Sequence, residues 1–126
     1  LMDMTSSFDG GTHSSEFTMP EKFYHGLVLG LLVDLSDRYE LTSNRESGYG
    51  RYDVMLTPLK QGDNGIILEF KVYDPKEESS LEETVQAALN QIEERKYEQI
   101  LLAHRIEEGN IRKYGFAFRG KEVLIG

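Results

Sequence analysis

The stretch SNRESGYGRYDVMLTPLKQGDNGIILEFK, Ser43 to Lys71, decides the fold. QGDNG, from Gln61 to Gly65, has the composition of a hairpin turn. Before it, Arg51 to Thr57 alternates, with Tyr52, Val54 and Leu56 on one face, and Pro58 closes the run. After it, Gly65 to Val72 reads as an apolar strand. Side chains alternate along a strand, so Glu69 and Lys71 share a face roughly 7 Å apart while Leu68, Phe70 and Val72 point the other way. Folding about QGDNG carries Asp53, early in one strand, toward Glu69 and Lys71, late in the next. Two carboxylates that converge repel each other unless a cation lies between them. Oxygen ligands favour Mg²⁺ or Mn²⁺. A lysine beside such a pair can orient a water or steady developing negative charge. The plainer reading of Glu69-x-Lys71 is a solvated cross-strand ion pair. Ile67 lies on the same face, however, which places that face at least partly inside, and charged groups there need a reason.

Upstream, a helix opens near Pro20 and runs to about Arg38, with Phe23, Leu27, Val28, Leu31, Leu32 and Leu35 at helical spacing. Thr18 is its candidate cap, and Pro20 then falls in the first turn, where its missing N–H costs no helical bond. Tyr39 to Asn44 has strand character, and Gly48 and Gly50 bracket a turn. The three strands are close enough in sequence for an antiparallel meander. Leu1 to Met19, rich in Ser, Thr and Gly, reads as a linker or loose arm, leaving residues 20–126 as one domain.

Downstream, Ser79 and Ser80 offer N-caps, and Glu82 and Glu83 sit in the first turn, where the helix dipole favours them. Val85, Ala88, Leu89 and Ile92 give that helix its apolar face. Tyr97, Ile100, Leu101 and His104 continue at helical spacing, although Ile100 to Ala103 also reads as a strand. Gly109 ends the segment. Tyr114, Phe116 and Phe118 alternate as a strand, Gly120 makes a turn, and Val123 to Ile125 completes a C-terminal β-hairpin.

The 126 residues suit one domain large enough to bury its own core. The chain has no cysteine, which excludes a disulfide scaffold and fits a reducing, cytoplasmic location. No apolar run is long enough to cross a bilayer, and no signal peptide is visible. The first residue is Leu1 rather than Met, which points to a fragment or a processed chain. The net charge of −8 argues against a general polyanion binder, because counterion release needs clustered cations. It leaves room for a carboxylate-rich metal site.

From Pro20 to Ile125 the chain resembles the PD-(D/E)XK nuclease-like domain found C-terminal to an AAA-ATPase-like domain in bacterial proteins. The matching segments are EKFYHGLVLGLL at Glu21 to Leu32, SNRESGYGRYD at Ser43 to Asp53, ILEFK at Ile67 to Lys71, ALNQIEERKY at Ala88 to Tyr97 and KYGFAFRGKEV at Lys113 to Val123. The resemblance implies an α/β restriction-endonuclease-like fold: an αβββαβ core with a mixed sheet flanked by helices. This agrees with the order of elements read above. It implies a motif at Asp53, Glu69 and Lys71, with Tyr52 where the motif often has proline. It implies Mg²⁺ or Mn²⁺ as cofactor and nucleic acid as partner, DNA ahead of RNA, with an ATPase-like domain outside this chain.

Further residues join the candidate set. In the superfamily a first-helix glutamate can complete the metal site, which makes Glu21 a third candidate ligand; its plainer role is an acid at a helix N-terminus. His25, one turn on, reads as a core histidine. Gln91 lies mid-helix, where related nucleases often place a polar residue beside the lysine; its plainer reading is a solvated helix face. The peptide oxygen of Phe70 is a further candidate ligand. Glu46 and Arg51 flank the glycine turn, as an ion pair or as a phosphate contact. Arg105, Arg112, Lys113, Arg119 and Lys121 concentrate positive charge that could track a phosphate backbone, with ordinary surface charge as the default reading. The favoured function is metal-dependent phosphodiester hydrolysis. Its rivals are a non-catalytic nuclease-fold module for assembly or sensing in a larger ATPase-type protein, and a homodimerising domain that uses the edge of the C-terminal hairpin.

Overall fold

The computed structural model describes residues 19–46 and 51–126, without the side chains of residues 19–21, 45, 46 and 51. Thr18, the turn at Gly48 and Gly50, and the segment before Met19 therefore lie outside the described residues. Helix α1 is Met19–Leu35. Strands β1 (Tyr39–Glu46), β2 (Arg51–Pro58) and β3 (Gly65–Val72) follow. Helices α2 (Leu81–Arg95) and α3 (Tyr97–Ala103) then lead through a 3-10 turn at Glu108–Asn110 to β4 (Ile111–Arg119) and β5 (Glu122–Ile125).

The five strands form one sheet in the order β1-β2-β3-β4-β5. The meander β1-β2-β3 is antiparallel, as its short turns dictate. β4 joins β3 in parallel, because α2 and α3 carry the chain back to the starting edge. β5 closes the hairpin antiparallel to β4. This mixed sheet flanked by helices is the restriction-endonuclease-like α/β architecture.

Both faces of the sheet are covered, by different elements. On one face α1 lays Tyr24 and Val28 against Tyr52, Val54, Leu56, Leu68, Phe70 and Phe118. Tyr24 stacks on Tyr52 at 4.4 Å, and Phe70 on Phe116 at 4.8 Å. On the other face, α2 and α3 bury Ile67 with Ile92, Leu101, Ile106 and Ile111. β3 is therefore enclosed on both faces and bonded along both edges. Its residues Ile67 to Lys71 are all buried, so the alternation that sorts them by face does not sort them into dry and wet.

Ser80 caps α2, its hydroxyl accepting from the Glu83 N–H at 3.3 Å. The strand reading of Ile100 to Ala103 is corrected: the segment is α3. Leu101 sits at full burial against Ile67 and Ile92 from a helix, and tertiary packing decides between two patterns that a short apolar run cannot separate.

Close approach of α2 to the sheet depends on Gly115. A Cβ there would lie 2.9 Å from the Val85 carbonyl oxygen and 3.1 Å from the Ala88 Cβ. Gly115 is the parallel neighbour of Glu69, so this contact sets how near α2 comes to the carboxylate strand. Gly115→Ala is expected to destabilise the fold by about 1–3 kcal/mol, because the obstruction includes backbone that cannot step aside. Urea unfolding checks this; an unchanged midpoint would show that α2 is free to shift outward.

Candidate active site

Asp53 and Glu69 face each other directly across β2 and β3. Antiparallel partners share a face, and this is the face under α2 and α3. Asp53 is 3 % exposed, Glu69 1 % and Lys71 7 %. The sequence motif is therefore one buried constellation on neighbouring strands.

Each of the three is held differently. Asp53 Oδ2 accepts a 2.7 Å hydrogen bond from the Tyr97 hydroxyl. Tyr97 reaches it because Lys96, at φ 58, adopts the left-handed conformation that ends α2 and starts α3 in a new direction. Burial, the hydrogen bond to Asp53 and the nearby negative charge push the Tyr97 hydroxyl up to about 12, while the Arg95 charge opposes this. Tyr97 therefore stays a neutral donor at any physiological pH. Both Glu69 carboxylate oxygens lie out of contact with solvent. Such a carboxylate sits at high electrostatic cost unless positive charge comes close.

Lys71 donates to Glu78 Oε2 at 2.6 Å, with both side chains under a tenth exposed. It also donates to the Val72 carbonyl oxygen at 3.4 Å. Glu78 Oε1 in turn accepts from the Asp74 N–H at 3.0 Å and the Thr84 hydroxyl at 2.9 Å. Burial works against the Glu78 charge, but these donors, led by Lys71, hold its carboxyl below the ordinary glutamate value. Lys71 and Glu78 line an open recess of about 540 Å³ together with the acids Asp74, Glu77 and Glu83.

Gln91 is half-buried on α2, two turns beyond Thr84. His25 is buried against Tyr24, ring to ring at 5.7 Å, in the manner of a core histidine. Glu21 belongs to α1, but its side chain, like those of Glu46 and Arg51, lies outside the described residues. Among the described residues, no three Asp, Glu or His side chains gather as metal ligands. Were a cation bound here, Asp53 and Glu69 would be the described carboxylates able to hold it, and Mg²⁺ is commonly held by one or two carboxylates with several waters.

Three of the five C-terminal cations have intramolecular partners, in keeping with the default reading of this cluster as surface charge. Lys113 is bound at 2.6 Å by both Glu93 and Glu98, and Arg119 pairs with Glu122 at 2.9 Å. Arg112 donates to the Gly109 carbonyl oxygen at 2.7 Å. These side chains tie the ends of β4 to their neighbours. The acids that meet Lys113 and Arg119 come from α2, α3 and β5.

Comparison with known families agrees with the geometry. A family model described as the PD-(D/E)XK nuclease superfamily matches residues 19–126. The chain belongs to the PD-(D/E)XK nuclease superfamily. No curated protein and no solved structure matches it. In this PD-(D/E)XK domain the contacts that sequence reasoning missed are Tyr97 on Asp53 and Glu78 on Lys71. Tyr97 carried a weak signal, a polar aromatic six residues after Gln91 within ALNQIEERKY. Glu78 carried none, since it is one of several acids in the loop after β3. No helix among the described residues is long and apolar enough to cross a membrane.

Proposed function

We propose that this domain hydrolyses phosphodiester bonds in nucleic acid, DNA in preference to RNA, with a divalent cation held by Asp53 and Glu69. The observation that carries this reading is the in-register pairing of two buried carboxylates with Lys71 two residues further on. A bound Mg²⁺ or Mn²⁺ supplies a Lewis acid that polarises the scissile phosphate and makes bound water more acidic. Asp53 and Glu69 hold it, with the Phe70 peptide oxygen and Glu21 as further ligands. Tyr97 fixes the rotamer of Asp53 through its hydroxyl. Lys71 keeps the attacking water in line and offsets charge that builds on the phosphoryl oxygens. Gln91 of α2 is a further candidate for a polar partner of the reaction.

The chain's resemblance to domains that follow an AAA-ATPase-like part supports a place behind such a domain in a longer bacterial protein, and the cysteine-free sequence supports the cytoplasm. Cleavage of single- and double-stranded DNA and of RNA, assayed with Mg²⁺ and Mn²⁺, tests the reading. Wild type should cleave only with metal, and Asp53→Ala should lose at least ~10²-fold. Wild-type inactivity on every substrate with either metal would reject it.

A second reading, a non-catalytic module for assembly or sensing, draws on the net charge of −8 and on the ion pairs that occupy Lys113 and Arg119. It predicts intact metal binding without cleavage.

A further inference from the structure

Lysine is a poor positional device by itself. Its ammonium rides on a flexible four-carbon stem that samples many rotamers. Beside two buried carboxylates it has an obvious place to go, onto those carboxylates, where it would compete with a cation. Lys71 is instead committed to Glu78 at 2.6 Å. Glu78 is in turn fixed by the Asp74 N–H and by the Thr84 hydroxyl from the first turns of α2.

We propose that Glu78 is the positioning residue of the site: it anchors Lys71 from the α2 side, which keeps the ammonium off Asp53 and Glu69 and leaves them to the metal. This inference rests on the reading of Asp53 and Glu69 as metal ligands. It assigns a role to the loop between β3 and α2, and it explains why a buried acid faces the motif lysine. The carboxylate holds the ammonium at a fixed point beside the site, and Thr84 and Asp74 stop that point from drifting. Removing the Glu78 charge frees Lys71 to swing toward Glu69, so the lysine itself becomes the competitor of the cation.

The test is Mn²⁺ binding by calorimetry on folded protein, with cleavage kinetics alongside. Glu78→Gln should weaken Mn²⁺ binding on the order of 10–100-fold and lower kcat by a similar factor, with KM for nucleic acid little changed. Glu77→Gln removes the same charge from the same recess without touching Lys71, and should bind Mn²⁺ nearly as wild type does. The decisive variant is Lys71→Met with Glu78→Gln. With the competitor gone, Mn²⁺ affinity should return toward the wild-type value although cleavage stays lost. Glu78→Asp, too short to span the same gap, should behave as Glu78→Gln does, and it serves if the glutamine variant does not fold. Wild type that binds no Mn²⁺ would overturn the metal-ligand reading, and the role of Glu78 with it. Wild type that binds, with Glu78→Gln and Glu78→Asp binding equally well, would overturn the role of Glu78 alone. Equal weakening by Glu77→Gln would also overturn it, since the effect would then be bulk charge.

Discussion

Lys71→Ala should lower cleavage by about 10²–10³-fold while Mn²⁺ still binds, because the lysine contributes charge and orientation and no metal–ligand bond. The substitution also has a structural cost that must be separated from the catalytic one. It leaves Glu78 without its ammonium partner, and breaking one side of a buried ion pair typically costs about 3–5 kcal/mol. The lower end applies here, since Glu78 keeps the Asp74 N–H and Thr84 hydroxyl and lines an open recess. A melting temperature reduced by roughly 10 °C is expected. Replacing both partners, Lys71→Met with Glu78→Gln, removes the orphaned charge and should recover most of that stability. Cleavage should not recover with it. Lys71→Arg should also fail to restore activity, because a planar, delocalised guanidinium does not place the same compact charge at the same point. Single-turnover cleavage and thermal melting on the same preparations check this. Full activity in Lys71→Ala would remove the lysine from the reaction.

Much of this architecture was legible because the decisive contacts are local. QGDNG fixes the β2–β3 register, and register alone brings Asp53 opposite Glu69. Ser80 and its following acids announce α2. What the sequence hid is long-range. Tyr97 lies 44 residues from Asp53, and its direction depends on the left-handed turn at Lys96, a position where glycine or asparagine would have been the readable signal. The partner of Lys71 is seven residues away, in a loop with no periodicity. The partners of the C-terminal cations were hidden too: Lys113 and Arg119 are close in sequence, yet each meets its own acids in space. Charge counted along the chain is a poor guide to field on the surface when the net charge is −8.

Divalent metal should raise the melting temperature of the wild type by around 10 °C at a concentration near a hundred times Kd. Binding to the native state alone contributes about 2.7 kcal/mol under that condition. Asp53→Ala and Glu69→Gln should each abolish most of this gain. Their behaviour without metal is the sharper test. Like charges directly opposite on neighbouring strands destabilise a sheet, and burial to 3 % and 1 % exposure removes the water that would screen them. Relieving that repulsion should make Glu69→Gln at least as stable as wild type in chelator, since the amide keeps the side-chain volume. Asp53→Ala should gain less, because it strands the Tyr97 hydroxyl that Asp53 accepts from. Asp53→Asn keeps an acceptor for that hydroxyl and should therefore be the more stable of the two. The expected order of melting temperatures thus inverts with metal: Glu69→Gln at or above wild type in chelator, and well below it in Mn²⁺. A Glu69→Gln protein less stable than wild type in chelator would mean that the carboxylate is held by native contacts strong enough to outweigh the repulsion, and that the pair is structural.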